Sequence, residues 1–169
     1  MEVNKQFCQQ QCGFMKKRST LLQLMKVLDV WTEGIYKGYP SDTIYLDFKK
    51  AFDKMPHERL TRKLNSYGFT SEITGWIRSF LTNRKQHVSV NGSESDWSDV
   101  TSGIPKGSVL GPILFIIYIN DIVEQLKSEI YLFADDSKVF RAMKNASADS
   151  QILQQDKLCE WSAQVVVGI

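Results

Sequence analysis

The ten residues Tyr131 to Phe140, YLFADDSKVF, set two aspartates side by side between two runs that read as buried strands. Such a stretch folds back on itself, because Asp tolerates left-handed backbone and closes its own turn through the side chain. The expected strands are 130–134 and 137–140, with Asp135 and Asp136 at the bend. The pair then serves either as a turn device or as two functional carboxylates, and both readings stand on these residues alone.

The remaining chain frames the hairpin. Ser19 and Thr20 precede a helix in which Leu21, Leu24, Met25, Leu28 and Trp31 recur at helical spacing, with Gly34 and Gly38 at its exit. Residues 43–48 read as a buried strand, and Pro56 suits the first turn of a helix over 56–67 that Gly68 ends. A further helix is expected over 71–81. Strands at 86–90 and 96–101 should form a hairpin around Asn91-Gly92. The glycine- and proline-bearing loop 102–108 leads into a long apolar helix ending near residue 126, and a last helix is expected over 149–161. Helices and antiparallel strands in this order suit an α+β domain with helices packed on one face of the sheet.

With 43% hydrophobic and 24% charged residues among 169, the chain has the material for one sizeable core. Its longest apolar run, 109–119, is too short to span a bilayer, and the first residues lack the apolar centre of a secretory signal. The expectation is an intracellular protein whose Cys8, Cys12 and Cys159 are reduced thiols. Cys8 and Cys12 have the spacing to open a zinc site, but no second Cys or His pair follows at a fitting distance. Net charge is only +2, yet residues 49–90 hold nine Lys or Arg against three acids. That excess suits either phosphate contact or a solvated helix face.

Asp47 ends an apolar run, and carboxylates crowded together repel unless cations bind between them. Were the strand of Asp47 to pair beside the hairpin, the three acids would converge, and a hard divalent ion with open positions would be their natural complement. Two such ions can activate an attacking hydroxyl and stabilise a leaving phosphate. In Gly103-Ile-Pro-Lys-Gly107, glycines allow a ligand close to the backbone, although a loop–helix junction uses them equally well.

YLDFKKAFDKMPHERL (45–60), TSGIPKGSVLGPILFIIYINDI (101–122) and LFADDSKVF (132–140), with WIRSFLTNRKQHVSVNGSESDW (76–97) between and QCGFMKKRST (11–20) ahead, closely resemble reverse transcriptases of non-long-terminal-repeat retrotransposons, in the jockey-like branch. The resemblance covers nearly the whole chain. It implies a polymerase palm over 41–169, incomplete at its C-terminal end, with a fingers-side segment at 1–40 and no thumb. It also implies RNA-directed DNA synthesis with two Mg²⁺ or Mn²⁺ ions, Asp47 and Asp135 as principal ligands and Asp136 in support. Phe48, Phe52, Pro105, Lys106 and Gly107 would border the nucleotide, with Phe52 under its sugar, where a ring would clash with a 2′-hydroxyl. Lys16, Lys17, Arg18, Arg84 and Lys85 would meet the nucleic acid. The implied partners are an RNA template, a DNA primer, deoxynucleoside triphosphates and the remainder of a retrotransposon polyprotein, with no membrane.

The chain departs from the group at Lys106, where Gln is usual, and at Met15, where Arg is common. After Ala163 it turns into an unrelated apolar tail, and the finger segment that would hold the triphosphate does not appear. A truncated domain inactive by itself is therefore expected. The alternatives are a catalytically dead remnant that at most binds nucleic acid, and a related polymerase of group II introns or of a domesticated gene. His57, near a helix start, reads as structural.

Overall fold

A computed structural model describes residues 7–48 and 50–156. Ser19 starts the first helix: its hydroxyl accepts a hydrogen bond from the Leu22 N–H, and α1 runs Thr20–Tyr36. The apolar stripe of this helix is not its buried side. Leu21, Leu24, Met25 and Leu28 are exposed, whereas Gln23, Val27 and Gly34 are buried.

After α1 come β1 (Ser41–Asp47), α2 (His57–Ser66) and α3 (Ser71–Leu81). Pro56 stands at the N-cap of α2 rather than inside it, and Thr70 caps α3 through its hydroxyl. The expected hairpin around Asn91-Gly92 divides into two ladders. Strand β2 (Arg84–Gln86) pairs with β5 (Ser98–Val100), and β3 (Ser89–Val90) with β4 (Ser93–Glu94). Ser95 causes the interruption, because its hydroxyl accepts from the Val88 N–H at 2.9 Å where a continuous ladder would use a carbonyl. Asn91 and Gly92 both take positive φ, as a two-residue hairpin turn requires.

The apolar run becomes α4 (Leu110–Ile119), whose residues 114–119 are all buried, and then tightens into a 3-10 segment, Asn120–Gln125. Tertiary bonds divide the single helix expected to residue 126. The Asn120 amide donates to the Tyr67 hydroxyl and accepts from the Cys8 N–H, while Lys63 reaches both the Tyr118 carbonyl and Asp121. Burial lowers the pKa of the Lys63 ammonium and pushes that of the enclosed Tyr118 hydroxyl up to about 12.

Strands β6 (Glu129–Phe133) and β7 (Asp136–Ala142) form the opening hairpin, and β1 adds to the far side of β7, giving an antiparallel sheet ordered β1-β7-β6. The turn is one residue earlier than expected: Ala134 and Asp135 make the bend, and Asp136 already belongs to β7. Register sorts the two faces. Ile44, Val139 and Ile130 align on the core face, as do Leu46, Ser137 and Leu132. These pack with α2, α3 and α4 around Leu60, Leu64, Ile77, Leu114 and Ile119. The other face is covered at one end, where Phe140 stacks on Tyr131, and open at the end that carries Asp47 and Asp136.

The last helix, α5 (Ala146–Gln155), starts three residues earlier than expected because Asn145 caps it and Asp149 accepts the Asn145 N–H at 2.8 Å. Positions 157–161 of the expected helix lie outside the described residues, as does Cys159.

Candidate active site

Asp47 is the last residue of β1 and Asp136 the first of β7, and the two are register partners. Directly opposed residues in an antiparallel pair project from the same face, so two carboxylates stand together at the open end of the sheet. Both are exposed. Asp135, in the turn, is half-buried. The opposed pair is thus Asp47 with Asp136, and the turn residue Asp135 directly precedes Asp136.

Among the described residues no three His, Cys, Asp or Glu side chains are gathered as a ready-made ion cage. The two carboxylates at this sheet end, exposed and opposed in register, are oxygen donors of the type a hard divalent ion takes. Beside them lies a cleft of about 400 Å³ whose walls carry Leu24, Leu46 and Phe133 as well as Asp47, Asp136 and Lys138. Lys138 lies 5.7 Å from the centre of the Tyr45 ring.

A second cleft, about 700 Å³, lies between the corner after β1 and the glycine loop, with Lys50, Asp53, Arg84, Lys85, Asp99 and Lys106 on its walls. The loop is fastened to that corner by main-chain bonds. Gly103 N–H donates to the Met55 carbonyl and Ile104 N–H to the Phe52 carbonyl, both at 2.8 Å. The Gly103 carbonyl in turn accepts from His57 Nε2 and from the Arg84 guanidinium, each at 2.7 Å. His57 is engaged as a structural clasp.

A match to the family model described as "Reverse transcriptase (RNA-dependent DNA polymerase)" spans residues 1–165. The chain belongs to the reverse transcriptase family. Its relatives include the RNA-directed DNA polymerase from mobile element jockey of Drosophila melanogaster, 30% identical over 95% of this chain and 19% of that protein. The probable RNA-directed DNA polymerase from transposon X-element of the same organism is 31% identical over 94% of this chain and 18% of its own length. The chain thus spans about a fifth of these relatives. Among solved structures, telomerase from Candida tropicalis, in complex with a fragment of telomeric RNA, superimposes with a TM-score of 0.64 at 13% identity. It covers 90% of this chain and 28% of the telomerase chain, and at that identity the likeness speaks for the fold alone.

Within this reverse transcriptase fold the other residues singled out from the sequence fall into several places. Phe48 has its ring in the core, 4% exposed, so its part at the site is to seat the end of β1. Phe52 is half-buried and stacks on Phe115, with ring centres 4.7 Å apart. Pro105, Lys106 and Gly107 form the outer bend of the glycine loop, where the Pro105 carbonyl accepts from the Ser108 hydroxyl and Lys106 pairs with Asp53 at 2.9 Å. That pairing gives the departure at 106 a local partner.

Among the described residues, four cations of the basic patch have partners within the fold, and Lys50, Arg59 and Arg62 are exposed. Lys63 is half-buried as described, Arg78 pairs with Glu58, Lys85 with Asp99 at 3.7 Å, and Arg84 also holds the Leu81 carbonyl. Burial lowers the pKa of Arg84 below the usual guanidinium value. Lys16 and Lys17 are exposed, but Arg18 folds back onto the carbonyls of Cys8, Gln9 and Gln11. Two residues escaped the sequence reading altogether. Gln11 is fully buried, and Gly13 lies so close to the Ala134 amide nitrogen that a Cβ there would overlap it. The signal available was a lone Gln beside a Cys and a Gly, which has no periodicity to mark it as core.

Proposed function

We propose that this chain is the palm-centred part of an RNA-directed DNA polymerase of a non-long-terminal-repeat retrotransposon, joining deoxynucleotides to a primer 3′-hydroxyl on an RNA template. The single observation that carries the reading is the pairing of Asp47 with Asp136 in a fold of this family. In this reading residues 7–40 form the fingers side and residues from 41 onward the palm.

Asp47, Asp135 and Asp136 would together hold Mg²⁺ or Mn²⁺ at the open end of the sheet. When bound, the two ions lower the cost of the attacking alkoxide and neutralise the leaving pyrophosphate. The exposed carboxylates line a cleft open to solvent, and the pairing of β1 with β7 fixes Asp47 and Asp136 relative to one another. The fastened loop 103–107 forms the wall against which the incoming base rests, and the Phe52 ring limits space beneath its sugar. Exposed Lys16 and Lys17 meet the nucleic-acid backbone, where phosphate contact needs charge rather than shape. The partners this reading implies are an RNA template, a DNA primer and deoxynucleoside triphosphates.

Mn²⁺ binding to the purified chain, followed by electron paramagnetic resonance, tests the site. The parent should bind Mn²⁺, and Asp47→Asn or Asp136→Asn should weaken binding at least tenfold. Equal binding by parent and variants removes the metal from this sheet end and leaves a chain with the fold but without the chemistry.

A further inference from the structure

The Asp135–Asp136 hairpin is held by a buried side chain from far away in the chain. Residues 10–12 run alongside β6 as a short parallel partner: Leu132 N–H donates to the Gln10 carbonyl at 3.1 Å, and Cys12 N–H to the Leu132 carbonyl at 2.8 Å. Gln11 is 0% exposed, and its Oε1 accepts two main-chain donors, Gly13 N–H at 2.8 Å and Ala134 N–H at 3.0 Å.

Ala134 needs such an anchor. It is the first residue of the turn, it is not glycine, and its φ is +55°. An L-residue enters that region at a cost of roughly 1–2 kcal/mol, so the turn relaxes unless its surroundings hold it. Its N–H is buried away from a strand partner, and a buried amide without an acceptor is costly. One amide oxygen removes that cost at Ala134 and at Gly13 together. Gly13 completes the clasp, because only a residue without Cβ can lie against the Ala134 nitrogen. Arg18 closes the other side by donating to the Cys8, Gln9 and Gln11 carbonyls.

We infer that Gln11 is a positioning residue of the metal site: by accepting the Ala134 N–H it sets the turn that aims Asp135 and Asp136, and so sets metal affinity without touching metal or substrate. The inference rests on the reading of Asp47, Asp135 and Asp136 given above.

The test uses Mn²⁺ binding by the purified chain, with three variants. Gln11→Leu keeps the volume and removes the acceptor, and it should weaken Mn²⁺ binding at least fivefold. Gln11→Glu keeps an acceptor oxygen but buries a carboxyl where the Gln11 Nε2 has no partner among the described residues, so its Mn²⁺ binding should fall between those of the parent and Gln11→Leu. Asp47→Asn reports on the site itself from a strand Gln11 does not hold. If Asp47→Asn loses Mn²⁺ while Gln11→Leu binds like the parent, even at a lowered melting temperature, Gln11 is merely structural and the inference is overturned while the site stands. If Asp47→Asn also binds like the parent, the site reading falls first. Should Gln11→Leu fail to fold, amide hydrogen exchange in the parent decides. The Ala134 N–H should be protected at least a hundredfold over an unfolded chain, and a freely exchanging amide overturns the clasp.

Discussion

Gly103 lies against the main chain of Asp53, so closely that a Cβ on Gly103 would sit 2.5 Å from the Asp53 carbonyl oxygen. Its φ is +82°, a region that costs other residues about 1–2 kcal/mol. Both constraints arise from one contact, the docking of the glycine loop on the corner after β1. Gly103→Ala should therefore destabilise the chain by about 2–5 kcal/mol, strain and overpacking together. Urea unfolding measures it, and a loss within 0.5 kcal/mol or so would show that the loop is not docked as described.

Lys106 and Asp53 bridge the same two segments through an ion pair whose side chains are 67% and 43% exposed. Exposed pairs contribute at most about 1 kcal/mol. Lys106→Gln, which restores the residue usual in the jockey-like group, should leave stability within about 1 kcal/mol of the parent by urea unfolding. A larger loss would mean that the pair fastens the loop more than the main-chain bonds do.

Asp149 gives the fold an acid limit. The Asn145 N–H holds its pKa below the ordinary aspartate value, and the Arg141 guanidinium adds to this. A lowered folded pKa means that the unfolded chain binds the proton more readily. The stabilisation is thus complete above the unfolded value, about 4, and is lost as the pH falls through the folded one. Asp149→Asn should flatten the fall in melting temperature below about pH 4 relative to the parent. Parallel curves for the two proteins would remove Asp149 from that role.

Phe52 stacks on Phe115 and also sits where the nucleotide reading puts a sugar-facing ring. The stack predicts that Phe52→Ala loses about 3 kcal/mol, the low end for a buried Phe, and that Phe52→Tyr loses far less. In a polymerase that joins this segment to the fingers and thumb of a related element, the alanine variant should also admit ribonucleotides more readily than the parent. A stability loss with an unchanged ratio of ribo- to deoxynucleotide incorporation would confine Phe52 to packing.

Local chemistry explains what was legible before any fold was known. Ser19 and Thr70 cap because a hydroxyl beside free N–H groups does so wherever a helix begins, and Asn91-Gly92 turns because both tolerate positive φ. Two strand-like apolar runs around an Asp-Asp turn sufficed for a hairpin, and the motifs sufficed for the family. What depends on distant partners was not legible. Which aspartate stands opposite Asp47 is a question of register between strands about ninety residues apart, and a shift of one residue exchanges the faces. Leu21, Leu24, Met25 and Leu28 carry the periodicity of a buried stripe, yet what a stripe faces is decided by which elements pack against it. Lys63 and Arg84 count as surface cations until the carbonyls of Tyr118 and Gly103 are brought to them. Gln11 is the extreme case: two amides from two segments, meeting only in the folded chain, turn a lone polar residue into a buried clasp.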